Sequence, residues 1–163
     1  MNATDVKSQL QQSIQDALET YSNVHRGSGH KSIVTTHIFE EARKIVLDYL
    51  DLNPGKYTLV FCSPLSAKAL KSILNKAHYQ ELSADEFNMR IGVHALAIKR
   101  NKIPGGSPLL PGGGTTKLIS GEWVIWAKAP ARYEPGTPAV INIVAFTRLL
   151  QLVKKHGKKV VKD

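Results

Sequence analysis

The chain has 163 residues, 42% of them hydrophobic, enough for one globular domain with its own core and short of what two would need. A lone cysteine, Cys62, excludes an intrachain disulfide and a multi-cysteine metal site. No apolar run approaches the roughly eighteen residues of a membrane span, and MNATDVKSQLQQSIQDALET lacks the basic-then-apolar pattern of a signal peptide, so the expected location is the cytoplasm, away from any membrane.

The net charge is +9, but much of it lies in the last ten residues, KKHGKKVVKD, with five lysines and one aspartate. The remainder (Lys68, Lys71, Lys76, Lys99, Arg100, Lys102) is scattered rather than striped with aromatics. That pattern reads as a solvated surface and a cationic helix end, and it argues against nucleic acid as the partner.

In chain order, Val6, Leu10, Ile14, Leu18 and Tyr21 recur every three or four residues and predict an amphipathic helix over 5–21, with Thr4 as its cap. The polar stretch YSNVHRGSGHKS predicts a loop. Ile38, Phe39, Ala42, Ile45, Val46, Tyr49 and Leu50 predict a second helix from Thr36 to Leu50, ended by the Asn53-Pro54-Gly55 turn. Tyr57–Cys62 (YTLVFC) is a buried strand by composition. Ser63 then caps a helix with Pro64 in its first position, and Leu65, Ala69, Leu70, Ile73 and Leu74 line one side. Short strands are expected over Tyr79–Leu82 and Ile91–Ile98. A glycine-rich excursion with Gly112-Gly113-Gly114 leads to a hairpin of Thr115–Ile119 and Trp123–Ala127. Thr137 and Pro138 are expected to open the last helix, with Val140, Ile143, Val144, Leu150 and Val153 on its face. Alternating helices and strands make this a small α/β layer structure.

Three stretches are more specific: Asn23-Val24-His25-Arg26-Gly27 ahead of the helix bearing Glu41-Ala42-Arg43, the triplet Gly112–Gly114, and Arg132-Tyr133-Glu134-Pro135-Gly136-Thr137-Pro138-Ala139. In this order they resemble the class V aminotransferase family, the cysteine desulfurase and selenocysteine lyase group of pyridoxal-phosphate (PLP) enzymes. The resemblance implies a small mixed-sheet fragment of the PLP-dependent transferase fold with flanking helices. It covers most of positions 21–155, and the chain is expected to be one shortened domain over residues 1–155, followed by a basic tail or linker over 156–163.

The resemblance is discontinuous. Between the segment like the family's first large-domain strand and helix (57–74) and the one like the strand after its Schiff-base lysine (91–99), only Asn75–Arg90 remain, sixteen residues. A single βαβ unit needs about thirty, so the family's cofactor-binding middle has no room. The resemblance sets Ala84 at the lysine's position, and the phosphate turn reads Ser63-Pro64-Leu65-Ser66. Lys76 and Lys99 are the nearest substitutes, at element ends where lysines are usually solvated.

No catalytic residue, no metal ligand set and no cofactor of its own is therefore expected, PLP entering only if a partner chain contributes it. Gly136 and Thr137, at a helix start, are candidate contacts for a phosphate or other anion, with Arg132 as a charged donor, and the resemblance implies that Thr137 reaches a partner's PLP phosphate. The residues alone leave open that Thr137 is merely a helix cap beside Pro138. The expected role is a non-catalytic dimerisation or regulatory module, a homodimer that acts beside a complete PLP-dependent enzyme. Two other readings stand: a subunit that completes a partner's PLP site through Thr137 and Gly112–Gly114, and a basic nucleic-acid-binding domain. Trp123, Trp126, Phe146 and Tyr133 are the residues expected to cover surfaces left by the missing middle. Cys62 is expected to be a buried, inert thiol.

Overall fold

The computed structural model describes residues 3–22, 24 and 29–158. The Asn23, His25, Arg26 and Gly27 positions of the first motif and the final lysines of the tail lie outside those residues. Four helices, α1 (Ala3–Thr20), α2 (His30–Tyr49), α3 (Pro64–Ser72) and α4 (Val140–His156), surround two small sheets. The first holds β1 (Tyr57–Cys62), β2 (Tyr79–Ser83) and β3 (His94–Lys99), in the order β1-β3-β2. The second pairs β4 (Thr116–Ile119) with β5 (Val124–Trp126).

The α/β fragment expected from the sequence is present. Its strands are antiparallel at every pairing, not mixed in direction: Cys62 faces His94 and Tyr57 faces Lys99, and Ser83 faces His94 on the other side. Strict alternation sorts the central sheet into two cores. Leu59 and Phe61 of β1 and Ala95 and Ala97 of β3 point to a core shared with Phe39, Ala42 and Val46 of α2 and with Ile143, Phe146 and Leu150 of α4. Val60 and Cys62, with Leu96 and Ile98, point the other way, onto Ala67 and Leu70 of α3 and onto Tyr133. The alanines of β3 sit on the side where two long helices come close, and its leucine and isoleucine fill the side covered by one short helix.

Several expected boundaries move, each for a local reason. α1 already includes Thr4, so that residue is not its cap. α2 starts at His30, six residues ahead of Thr36, behind Gly29, which offers no side chain to mark the start. β3 starts at His94 because Gly92, at φ +68°, interrupts the extended chain before it. α3 begins as expected, with Ser63 Oγ accepting from Ser66 N at 3.2 Å and Pro64 in the first turn, but Leu65 and Ile73 are exposed and its buried face is Ala67 and Leu70. α4 begins at Val140 with Ala139 in the capping position and no side-chain cap, so Thr137 is not the N-cap of that helix.

Phe146 and Tyr133, expected on an exposed surface, are core residues, Phe146 being fully buried. Instead the exposed apolar side chains gather on the β4–β5 hairpin.

Candidate functional site

A cleft of about 160 Å³ opens where the end of β1, the first turn of α3 and the segment before α4 meet. Phe61, Cys62, Ser63, Ser66, Glu134 and Thr137 are among the side chains that line it. β1 delivers Cys62 to its rim, the Ser63 cap turns the chain sharply into α3, and Ser66 lies within that first turn. The cleft thus gathers three hydroxyl side chains and a thiol. Ser63 Oγ donates to Ser66 Oγ or accepts from it at 3.1 Å, so these two hydroxyls are held together.

Behind the cleft is an ion pair that joins two of the motifs. Glu134 receives two hydrogen bonds from Arg43, Nη1 to Oε1 at 2.6 Å and Nη2 to Oε2 at 2.7 Å, and its Oε1 also accepts from the backbone N–H of Phe61 at 2.7 Å. Arg43 donates further to the Leu59 carbonyl and to Glu40, and its guanidinium lies over the rings of Phe39 and Phe61, 4.6 and 5.5 Å from their centroids. Both side chains are 9% exposed. Burial works against the charge on Arg43, but the hydrogen bonds and attraction of Glu134 more than offset it and hold the guanidinium above its ordinary pKa. A buried bidentate pair with its remaining groups satisfied fixes geometry rather than performing chemistry. Neither residue was singled out for a role from the sequence. The signal was there in outline, since Glu41-Ala42-Arg43 and the Arg132–Ala139 stretch each belonged to a motif.

The glycine triplet and the Gly136-Thr137 motif do come together. Gly136 N donates to Gly113 O at 2.9 Å, and a Cβ on Gly112 would lie 3.2 Å from that of Pro135. The N–H of Gly136 proposed to meet an anion is therefore spent inside the chain. Thr137 is exposed on the cleft's rim. Arg132 points elsewhere, its Nε donating to the Ala127 carbonyl at 2.7 Å, and it is Arg43 that takes Glu134. Tyr133 extends the same anchoring by donating its hydroxyl to the Pro104 carbonyl.

The thiol of Cys62 is pushed up to about 12, first by burial and then by the nearby carboxylates of Glu134 and Glu81. A thiol that stays protonated is a poor nucleophile and a poor metal ligand. Across the strand pair, His94 Nδ1 lies 3.0 Å from Glu81 Oε1, and Lys71 Nζ reaches both oxygens of that carboxylate at 2.9 and 2.7 Å. Among the described residues no three His, Cys, Asp or Glu side chains are grouped to hold a metal ion, and no helix is long and apolar enough to cross a membrane.

Residues 89–163, just under half the chain, match the family model of the class-V aminotransferases. No curated protein sequence matches the chain. Among solved structures it is similar to an apo cysteine desulfurase from Thermococcus onnurineus NA1, with a TM-score of 0.69 and 16% identity over 92% of this chain. It is also similar to the cysteine desulfurase CsdA from Escherichia coli in its S-sulfonic acid form, with a TM-score of 0.64 and 13% identity over 89% of this chain. The chain spans 65% of each of those chains. Its small α/β architecture is that of part of a cysteine desulfurase, and its residues 89–163 resemble the class-V aminotransferases.

The resemblance implies PLP, and the residues do not fit it. Ala84, set at the lysine's position, is fully buried in a tight turn after β2, where its N–H donates to Val93 O at 3.0 Å. Among the described residues no lysine lines the cleft, and Lys76 and Lys99 lie elsewhere, at the start of the turn before β2 and at the end of β3. The volume is about half the ~300 Å³ at which sites for small molecules and cofactors usually begin. In the turn corresponding to the phosphate site, Pro64 has no N–H to donate.

Proposed function

We propose that this chain is a non-catalytic, class V aminotransferase-like domain, a homodimeric assembly or regulatory module that works beside a complete PLP-dependent enzyme. One observation carries the reading: Ala84, which the resemblance sets at the Schiff-base lysine's position, is buried in a turn, and among the described residues no lysine lines the cleft. PLP chemistry begins with a lysine amine that holds the aldehyde as an imine, and a cleft without an amine has nothing to hold it. The buried Arg43–Glu134 pair supports a role in assembly, because it keeps the fold of these segments intact without a reaction to serve. The cytoplasm is the compartment that suits a chain with one buried, protonated thiol.

The test is reductive trapping. The purified protein is mixed with PLP, treated with borohydride and mapped by mass spectrometry. Only scattered, substoichiometric labelling of surface lysines is expected. A stoichiometric adduct at a single lysine, with a visible imine band, overturns the non-catalytic reading.

A further inference from the structure

The fold collects cations that the sequence scatters. β1 begins, β3 ends and β2 begins at one end of the central sheet, since Tyr57 faces Lys99 and Tyr79 faces Ile98. The chain at that end, residues 53–57, 75–80 and 99–107, carries Lys56, Lys76, Lys99, Arg100 and Lys102 and no aspartate or glutamate. Lys56, Lys99 and Arg100, with Tyr57 and Asn101, line a groove of about 320 Å³, the size at which sites for small molecules begin. The cleft described above lies at the other end of β1, about 17 Å away at ~3.4 Å per residue.

We propose that this groove binds a small molecule bearing two linked phosphates, the diphosphate group that free pyrophosphate and a nucleoside diphosphate share.

The groove's cations have no counter-charge within the protein. Among the described residues no carboxylate pairs with Lys56, Lys99 or Arg100, whereas Arg43, Lys44, Lys71 and Lys154 each have one. The nearest acids in sequence, Asp48 and Asp51, line a separate hollow with Lys44. Arg100 is also held in position. Its Nε donates to the Pro54 carbonyl at 3.1 Å and its backbone N–H to the Lys56 carbonyl at 2.9 Å, which fixes the guanidinium on the turn with both Nη groups unspent. Such a planar fork matches two phosphate oxygens. The N–H groups of Gly55, Lys56 and Tyr57 are all spent on Asn53, so recognition falls to the three cations and the Asn101 amide. One phosphate group carries about −1.5 to −2 at pH 7, short of the groove's three positive charges; two linked groups match them. Cations that converge in one groove, rather than range along a face, favour a small anion over a nucleic-acid strand.

Isothermal titration calorimetry on the full chain, in about 0.15 M salt so that diffuse attraction is screened, tests the site with pyrophosphate, orthophosphate and ADP. Pyrophosphate is expected to bind once per chain, about tenfold or more tighter than orthophosphate. Lys99→Gln and Arg100→Gln are each expected to weaken it by about tenfold or more. Lys68→Gln, at an exposed position of α3 outside the groove, should leave it unchanged. Arg100→Gln also cuts the tie to Pro54, but the Lys99 side chain makes no hydrogen bond within the protein, so its loss reports on the ligand alone. ADP binding tighter than pyrophosphate assigns the site to nucleotides, and equal or weaker binding assigns it to the free diphosphate; either supports the proposal. No saturable binding of pyrophosphate, equal affinity for orthophosphate, or a Lys99→Gln variant that binds like the wild type overturns it. A single-stranded oligonucleotide without terminal phosphates that displaces pyrophosphate, and is itself released by the same two variants, overturns the small-ligand assignment in favour of nucleic acid.

Discussion

The two sheets of this molecule are made from similar residues and end in opposite surroundings. YTLVFC and HALAIK form strands whose side chains are almost all buried on both faces, between α2 and α4 on one side and α3 on the other. TKLI and VIW are also strand-forming, yet among the described residues most of their side chains stand exposed. Composition made both into strands; only the presence of amphipathic helices on either side made one of them a core. A strand's sequence says that it wants to be covered, and the neighbouring sequence says by what.

The buried side of that comparison breaks most readily at its single charged junction. Glu134→Ala would leave the buried Arg43 guanidinium with only the more exposed carboxylate of Glu40 and the Phe61 N–H without its acceptor, at an expected cost of about 3–5 kcal/mol in urea unfolding. Replacing both members with apolar residues of similar volume should recover most of that loss, because the cost lies in the orphaned charge. Leu96→Ala, a fully buried side chain on β3, is expected to lose about 2–5 kcal/mol. The same change at Leu118, measured at concentrations low enough to keep copies apart, should stay within about 0.5 kcal/mol of wild type. Equal losses at the two leucines would erase the contrast between the sheets.

A smaller effect sits on the outer strand of the first sheet. Burial raises the pKa of Glu81, but hydrogen bonds from Lys71 and His94 prevail and hold it below its ordinary 4.5. Because the folded value is the lower one, the carboxylate's contribution is fully present above the ordinary value and is lost as pH falls through it towards the folded value. Glu81→Gln should therefore lower stability at neutral pH, change it little in strong acid where the carboxyl is already protonated, and so flatten the acid limb of the stability curve below about pH 5. The smallest expected change is Thr137→Ala. With Ala139 in the capping position, removing the Thr137 hydroxyl should shift stability by less than about 0.5 kcal/mol, where a true cap would lose about 1 kcal/mol.

Elements whose signals are local were legible in the sequence. Tyr57–Cys62 is a strand to the residue, and Ser63 with Pro64 starts α3 because capping and a fixed φ act within three residues. The start of α2 was not legible, because Gly29 and the polar turn of His30, Lys31 and Ser32 carry no signal of their own. The start of α4 misled for the converse reason: Pro138 looks like a first helical residue, but Gly136, at φ +85° and tied to Gly113, holds that segment in a different course until Val140. Of the candidate site, the motifs singled out Gly112–Gly114 and Gly136, but only the fold shows that they meet. The Arg43–Glu134 pair did not, because no spacing rule reports on side chains so far apart in sequence, and Tyr133 and Phe146 went inside because tertiary contacts decide which apolar residues are covered.

That separation has a consequence for the order in which the molecule is made. Arg43 and Glu134 lie 91 positions apart, so α2 and all three strands of the central sheet have been synthesised before the carboxylate that completes them exists. Up to that moment Arg43, flanked by Phe39 and Phe61, has only Glu40 and the Leu59 carbonyl to answer its charge. Closing so long a loop is entropically not much dearer than closing one half its length, by about 0.6 kcal/mol, and the return of the 131–139 segment brings Glu134 to Arg43 and Tyr133 to the far face of the sheet in one movement. A growing chain that stops short of residue 134 holds an open latch with its bolt missing, and the segment that closes it is the same one that forms the wall of the cleft.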